Sequence, residues 1–125
     1  MREIKFRAWI KELNEIREVE YINFWKKMIS FPNKFCKEYY LNADFDEIEL
    51  MQYTGLKDIR GKEIYEGDIV TLHNSRYKVI FNTEEARFVL RDDEFEMNIP
   101  FTNNNNERME IIGNIYENPE LLGEQ

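Results

Sequence analysis

From Tyr53 onward, apolar side chains recur at every second position in short runs, and each run is cut by residues that favour turns. Tyr77, Val79 and Phe81 face one way, with Lys78, Ile80 and Asn82 the other. Ala86, Phe88 and Leu90 repeat the pattern, and Phe95, Met97, Ile99 and Phe101 repeat it again beyond an Asp92-Asp93-Glu94 turn. A period of two fits a pleated strand with one buried face; a helix would space its apolar positions by three and four. This rhythm confines the chain to a mainly β fold.

The punctuation is equally specific. Asp58-Ile59-Arg60-Gly61 has Asp at the first and Gly at the fourth position of a type I turn, where the carboxylate can accept turn amides. Glu66-Gly67-Asp68 predicts a second turn, and Asn74-Ser75 closes a strand over Ile69-Val70-Thr71-Leu72. Pro100 suits an edge or a strand end, Asn103 to Asn106 reads as a polar loop, and Gly113 within Met109-Ile111-Ile115 suits a bulge or a tight bend. Asn118-Pro119 predicts a single closing helical turn over Glu120-Leu121-Leu122. Five strands between Ile69 and Ile115 suit a small SH3-like β-barrel. Residues 53–125 are expected to form that barrel, and residues 1–52 a β-rich extension or subdomain, in one compact unit overall.

Within the N-terminal part, Ile4, Phe6, Ala8 and Ile10 alternate with Lys5, Arg7 and Trp9 as in a strand. In Lys11 to Phe31, Leu13, Ile16 and Val19 have helical spacing, while Tyr21, Asn23 and Trp25 alternate with Ile22 and Phe24; a turn followed by strands is preferred. After Pro32-Asn33, Phe35, Lys37, Tyr39 and Leu41 predict a further strand. Asp44 and Glu47 fit a capping box, and Ile48 to Tyr53 equally fit an extended segment.

With 125 residues and 42% apolar side chains, the chain can bury a core despite 34% charged residues, which excludes a disordered protein. Its charge is uneven. Residues 1–40 carry nine Lys/Arg against six Glu, net +3, and residues 41–125 carry eight against nineteen, net −11. So acidic a C-terminal part repels phosphate backbones. Arg7, Trp9, Arg17, Tyr21, Trp25, Lys26, Lys27, Lys34 and Lys37 form an aromatic and basic mixture that fits stacking bases and contacting phosphates, and equally fits a core with a basic exterior.

Catalytic signals are weak. Cys36 is the one cysteine and His73 the one histidine, too few for a structural zinc site. Cys36 reads as a small buried hydrophobe and His73 as an exposed turn residue. Asp44, Asp46, Glu47 and Glu49, and separately Asp92, Asp93 and Glu94, are acidic groups without the glycine and ligand spacing of a calcium loop. No P-loop, dinucleotide fingerprint or nucleophile elbow occurs. The expectation is therefore no catalytic residues, no metal, no cofactor and no enzyme. One cysteine also suits a reducing compartment, and no run approaches a membrane span or a signal peptide.

Four blocks carry a resemblance: Met1-Arg2-Glu3-Ile4-Lys5-Phe6-Arg7-Ala8-Trp9, Leu50-Met51-Gln52-Tyr53-Thr54-Gly55-Leu56-Lys57-Asp58, Gly61-Lys62-Glu63-Ile64-Tyr65-Glu66-Gly67-Asp68-Ile69-Val70, and Ile112-Gly113-Asn114-Ile115-Tyr116-Glu117-Asn118-Pro119-Glu120-Leu121-Leu122. In this order they resemble the YopX family of phage and prophage proteins. Ile10 departs from the Asp usual there, and Ile59-Arg60 from Lys-Asn. The resemblance implies a phage-encoded protein with an SH3-like component, in the cytoplasm of an infected or lysogenic bacterium. It implies no reaction and no site residues. The blocks read as structural, with Gly55, Gly61 and Gly67 at turns. Such a chain is expected to act as a protein-interaction module, on an unknown phage or host protein or on a second copy of itself met through edge strands or the aromatic surplus. Nucleic-acid binding by the N-terminal third is the alternative.

Overall fold

The computed structural model describes residues 2–102 and 108–123. Its strands are β1 (Phe6–Ile10), β2 (Glu15–Val19), β3 (Tyr21–Asn23), β4 (Met28–Pro32), β5 (Tyr40–Asp44), β6 (Ile48–Lys57), β7 (Glu63–Tyr65), β8 (Asp68–Leu72), β9 (Ser75–Asn82), β10 (Arg87–Asp92), β11 (Met97–Pro100) and β12 (Glu110–Asn114). At 55% strand and 6% helical the protein is mainly β, and its helical content is confined to 3₁₀ turns at Phe45–Glu47 and Pro119–Leu122. Two compact units divide the chain, residues 3–52 and residues 53–125. Strand β6 gives its first half to the former and its second half to the latter.

In the first unit, β1 pairs on one side with β2 and on the other with Ile48–Gln52 of β6, while β4 lies between β3 and β5. Alternation points Ala8, Ile10 and Ile48 from the first sheet, and Ile29, Phe31 and Ala43 from the second, into one buried cluster. Leu13 is exposed in the β1–β2 turn and Ile16 lies on β2, so tertiary pairing settles the ambiguous stretch as turn and strands.

The second unit is a curled half-barrel, an antiparallel sheet in the order β11-β10-β9-β8-β12. Ile64, Val70, Leu72, Tyr77, Val79, Leu90 and Met109 form its core. The Gly113 bulge is present, as a register shift between Ile111 and Gly113. Gly55 sits within β6, not at a turn; its φ of +92° lies at the shift between Tyr53 and Lys57, where the strand bulges against β7. The Asn103 to Asn106 loop lies outside the described residues.

One turn design recurs and accounts for several misplaced residues. The β1–β2, β3–β4, β9–β10 and β10–β11 connections each have four residues, the last left-handed: Asn14, Lys27, Ala86 and Glu96. In three of them the preceding Asn23, Asn82 or Asp92 accepts turn amides through Oδ1, at 2.9 Å from Lys26 N, 2.9 Å from Glu84 N and 3.0 Å from Glu94 N. Ala86 and Phe95, expected on strands, therefore belong to turns. The β8–β9 hairpin instead turns on His73 and Asn74, both at positive φ, one residue earlier than the Asn74-Ser75 expected.

Two polar clasps fix the second unit. Asp58 Oδ1 accepts from Arg60 N and Lys62 N at 2.9 Å each, and its Oδ2 accepts from Ile111 N at 3.0 Å. Burial alone would push this carboxyl up, but the three amides, aided by the Lys62 charge, hold it below the ordinary carboxylate value. Asn114 Oδ1 accepts from Tyr116 N and Glu117 N, and Asn118 Oδ1 accepts from Asn114 N at 3.2 Å. Asn118 thus ties the closing turn back to β12 and makes no side-chain cap of its own turn.

Candidate interaction surface

Alternation on β4 buries Ile29 and Phe31, so Met28, Ser30 and Pro32 point outward. The register then sets Tyr21 opposite Ser30 and Asn23 opposite Met28 on β3, with Asn42 opposite Ser30 and Tyr40 opposite Pro32 on β5. Tyr21 and Tyr40 lie on the diagonal of this outer face with ring centroids 5.5 Å apart. Ser30 Oγ donates to Asn42 Oδ1 at 2.6 Å. The Tyr40 hydroxyl is pushed up to about 12, first by its hydrogen bond to the Glu20 carboxylate, so it stays a neutral donor at any physiological pH.

Large aromatics stand at the two ends of this face. The β3–β4 turn carries Phe24, 71% exposed, and Trp25, 93% exposed; Phe24 meets Phe45 edge-on at 6.2 Å. At the other end, the β4–β5 loop carries Phe35, 94% exposed, and Tyr39. That loop replaces the strand expected from Phe35 to Tyr39. Asn33 Oδ1 accepts from Phe35 N and Cys36 N, and Asn33 N donates to Tyr39 O at 2.7 Å, so local polar contacts close the loop before pairing resumes at Tyr40.

The other candidate residues do not converge. Cys36 is exposed, not buried, because its segment is this loop. His73 belongs to the second unit's β8–β9 turn and is exposed. Carboxylate oxygens of Asp44, Asp46 and Glu47 lie within 4.8 Å of one another, but all three residues are exposed and Glu47 Oε1 accepts from Asp44 N as half of a capping box. Glu49 faces Lys11 at 3.8 Å. Asp92 serves its turn, and Asp93 pairs with Lys78 at 2.7 Å and Arg91 at 3.0 Å, which hold its carboxyl below the ordinary value.

The basic and aromatic set is dispersed too. Arg7 and Trp9 are half-buried on β1. Arg17 lies over the Phe31 ring at 5.1 Å and donates to Pro32 O, and Lys34 pairs with Glu15 at 3.1 Å. Folding also brings Asp44, Asp46, Glu47 and Glu49 into the same unit, so residues 3–52 hold eight Lys/Arg against ten Asp/Glu, net −2. The +3 excess of the first forty residues does not survive as a structural unit. Phe24, Phe35, Tyr39 and Tyr40, which sequence reasoning did not single out, join Tyr21 and Trp25 among the exposed aromatics of this unit; for the last three of the four, only knowledge of where β5 begins separates them from core residues.

No helix among the described residues is long and apolar enough to cross a membrane. No curated protein matches the chain. Among solved structures it is similar to protein EF1440 from Enterococcus faecalis, known as a crystal structure, with 26% identity, a TM-score of 0.70, and coverage of 98% of this chain and 99% of that one. The model of the YopX family, described as YopX protein, matches residues 5–123, and with nearly its whole length accounted for, the chain belongs to the YopX family.

Proposed function

We propose that this protein is a non-catalytic, phage-encoded accessory protein that acts in the bacterial cytoplasm by binding another protein. The outer face of the β3–β4–β5 sheet is the binding surface. The observation carrying this reading is the centre of that face, where Tyr21, Ser30, Tyr40 and Asn42 carry no charge; Asp44 stands opposite Met28 at one end, and exposed Phe and Trp bound the face. Tyrosine offers a large, stiff, amphipathic contact at low entropic cost, serine and asparagine offer adaptable hydrogen bonds, and charge is depleted at the centre of protein interfaces.

Affinity purification of the tagged chain from cells that express it, read by mass spectrometry beside a Tyr21→Ser/Tyr40→Ser variant, tests the proposal. A protein retained by the wild type and lost by the variant supports it. Identical capture by both removes this face from consideration.

The second reading is nucleic-acid binding. In its favour, Lys26, Lys27 and Lys37 make no ion pair among the described residues and flank exposed Trp25 and Phe35. Against it stand the unit's net −2 charge and the placement of these lysines at opposite ends of a sheet. A salt series of gel shifts separates the readings, since phosphate contacts give a steep salt dependence.

A further inference from the structure

The second unit has an open cleft of about 490 Å³, within the size range of small-ligand sites. Its wall is the β10–β11 turn, including Asp93, Glu94 and Phe95, and Leu121, Leu122 and Arg76 face it from the other side. Arg76 is held there by its bond to Leu121 O at 3.0 Å, and Arg91 by Asp93. Arg76, Arg91 and Asp93 are thus already engaged, which disfavours a small anion as the ligand. What the cleft still offers is apolar surface, two guanidinium groups and an acidic rim, with Glu94 free of ion pairs among the described residues.

A turn of opposite charge is on the first unit. The β3–β4 turn has the same four-residue form as the β10–β11 turn but the opposite charge: Phe24-Trp25-Lys26-Lys27 against Asp93-Glu94-Phe95-Glu96. Trp25 projects from it almost fully exposed.

We propose that the Trp25 side chain of one copy inserts into the cleft of a second copy, with Lys26 and Lys27 facing the Glu94 rim. The indole would meet the Leu121 and Leu122 side chains and present its face to the Arg76 or Arg91 guanidinium. This is a head-to-tail contact between unlike surfaces, so successive copies can add in one direction. Exposed Phe24 and Trp25 each offer about 150–250 Å². That total is well below the roughly 800 Å² per partner of a stable interface, so the association is weak and concentration-dependent. It does not use the Tyr21–Tyr40 face and stands or falls separately from the function proposed above.

Sedimentation velocity of the full chain over about 1 μM to 1 mM protein spans such weak association. At low salt the average mass should climb above the 15.3 kDa of one chain. At about 1 M salt, where the screening length is about 3 Å, it should return toward it. Trp25→Ala and Glu94→Lys should each remain at one chain mass while keeping the wild-type circular-dichroism spectrum. Mixed together, they leave one working turn and one working cleft, so mass should double and grow no further. The Tyr21→Ser/Tyr40→Ser variant should associate like the wild type. A wild-type protein at one chain mass throughout overturns the proposal, as does Trp25→Ala associating normally or a mixture that stays unassociated.

Discussion

Replacing Asp58 tests whether the second unit is held by a carboxylate that accepts three backbone amides. Asp58→Ala leaves Arg60 N, Lys62 N and Ile111 N without their acceptor. Arg60 and Lys62 are exposed, so water can replace the carboxylate there at a net cost of about 0.5–1 kcal/mol each. Ile111 is half-buried on β12, and its orphaned amide costs about 1–3 kcal/mol. The sum is a loss of about 2–5 kcal/mol at neutral pH. Asp58→Asn keeps one oxygen but turns an amide donor toward the third N–H, so its loss should be smaller and concentrated at Ile111. The pH dependence has a definite sign. A carboxyl whose folded pKa lies below its unfolded value of 3.8 stabilises fully above that value, and the contribution fades as pH falls through the folded pKa. Urea denaturation of wild type, Asp58→Ala and Asp58→Asn at pH 7 and at about pH 3 reads all three. The wild-type advantage over Asn should shrink in acid, and amide exchange at Ile111 should speed up in both variants at pH 7. A gap between wild type and Asn that is identical at the two pH values, or an Ala variant within about 0.5 kcal/mol of wild type, refutes the reasoning.

Gly113→Ala should destabilise by about 1–3 kcal/mol, because its Cβ would stand 2.6 Å from Asn118 Oδ1 and 2.9 Å from Leu121 Cδ1. Removing the obstructing amide with Asn118→Ala should make the two losses less than additive in a double-mutant cycle read by denaturant midpoints. Ala86→Gly should stabilise by about 0.5–1 kcal/mol, since φ is +55° at an exposed turn position and glycine relieves the left-handed strain; a lower thermal midpoint contradicts this. Glu20→Gln should lower the ionisation of Tyr40 from about 12 toward the ordinary tyrosine value of 10.0, seen as an earlier phenolate transition in a spectrophotometric or NMR titration.

The rhythm of apolar residues was enough to give the mainly β class, the five strands of the half-barrel sheet and a break in the last strand at Gly113, because each follows from local period and local backbone needs. What sequence could not supply were partners distant along the chain. Asp58 was recognisable as a turn acceptor, yet its bond to Ile111, 53 residues away, depends on how β12 lies beside the turn. Phe35 to Tyr39 alternated like a strand, but Asn33 captured two of the loop's amides first, and the aromatics expected inside came out. Ile10 departs from the family's usual Asp at a place that proves to be core, 4% exposed and opposite Ile48, so here an apolar side chain is what the fold requires. Net charge along the chain also misled, since the acidic residues 44–49 fold into the same unit as the basic ones.

The distribution of these features separates architecture from recognition. The blocks that resemble the family contain Asp58, Gly113, Asn114 and Asn118, side chains whose polar atoms or whose lack of a Cβ fix the backbone. Tyr21, Trp25, Phe35 and Tyr40 all lie in residues 11–49, between blocks, on outward positions where the core makes no demand on residue type. Exposed aromatics carry a solvation cost in the isolated protein, and Trp25 and Phe35 give little back to its packing. On the function proposed above, a partner would cover such a surface. The substitutions that should abolish binding are therefore ones that leave the denaturation curve in place, whereas those at Asp58 and Gly113 should move the curve first.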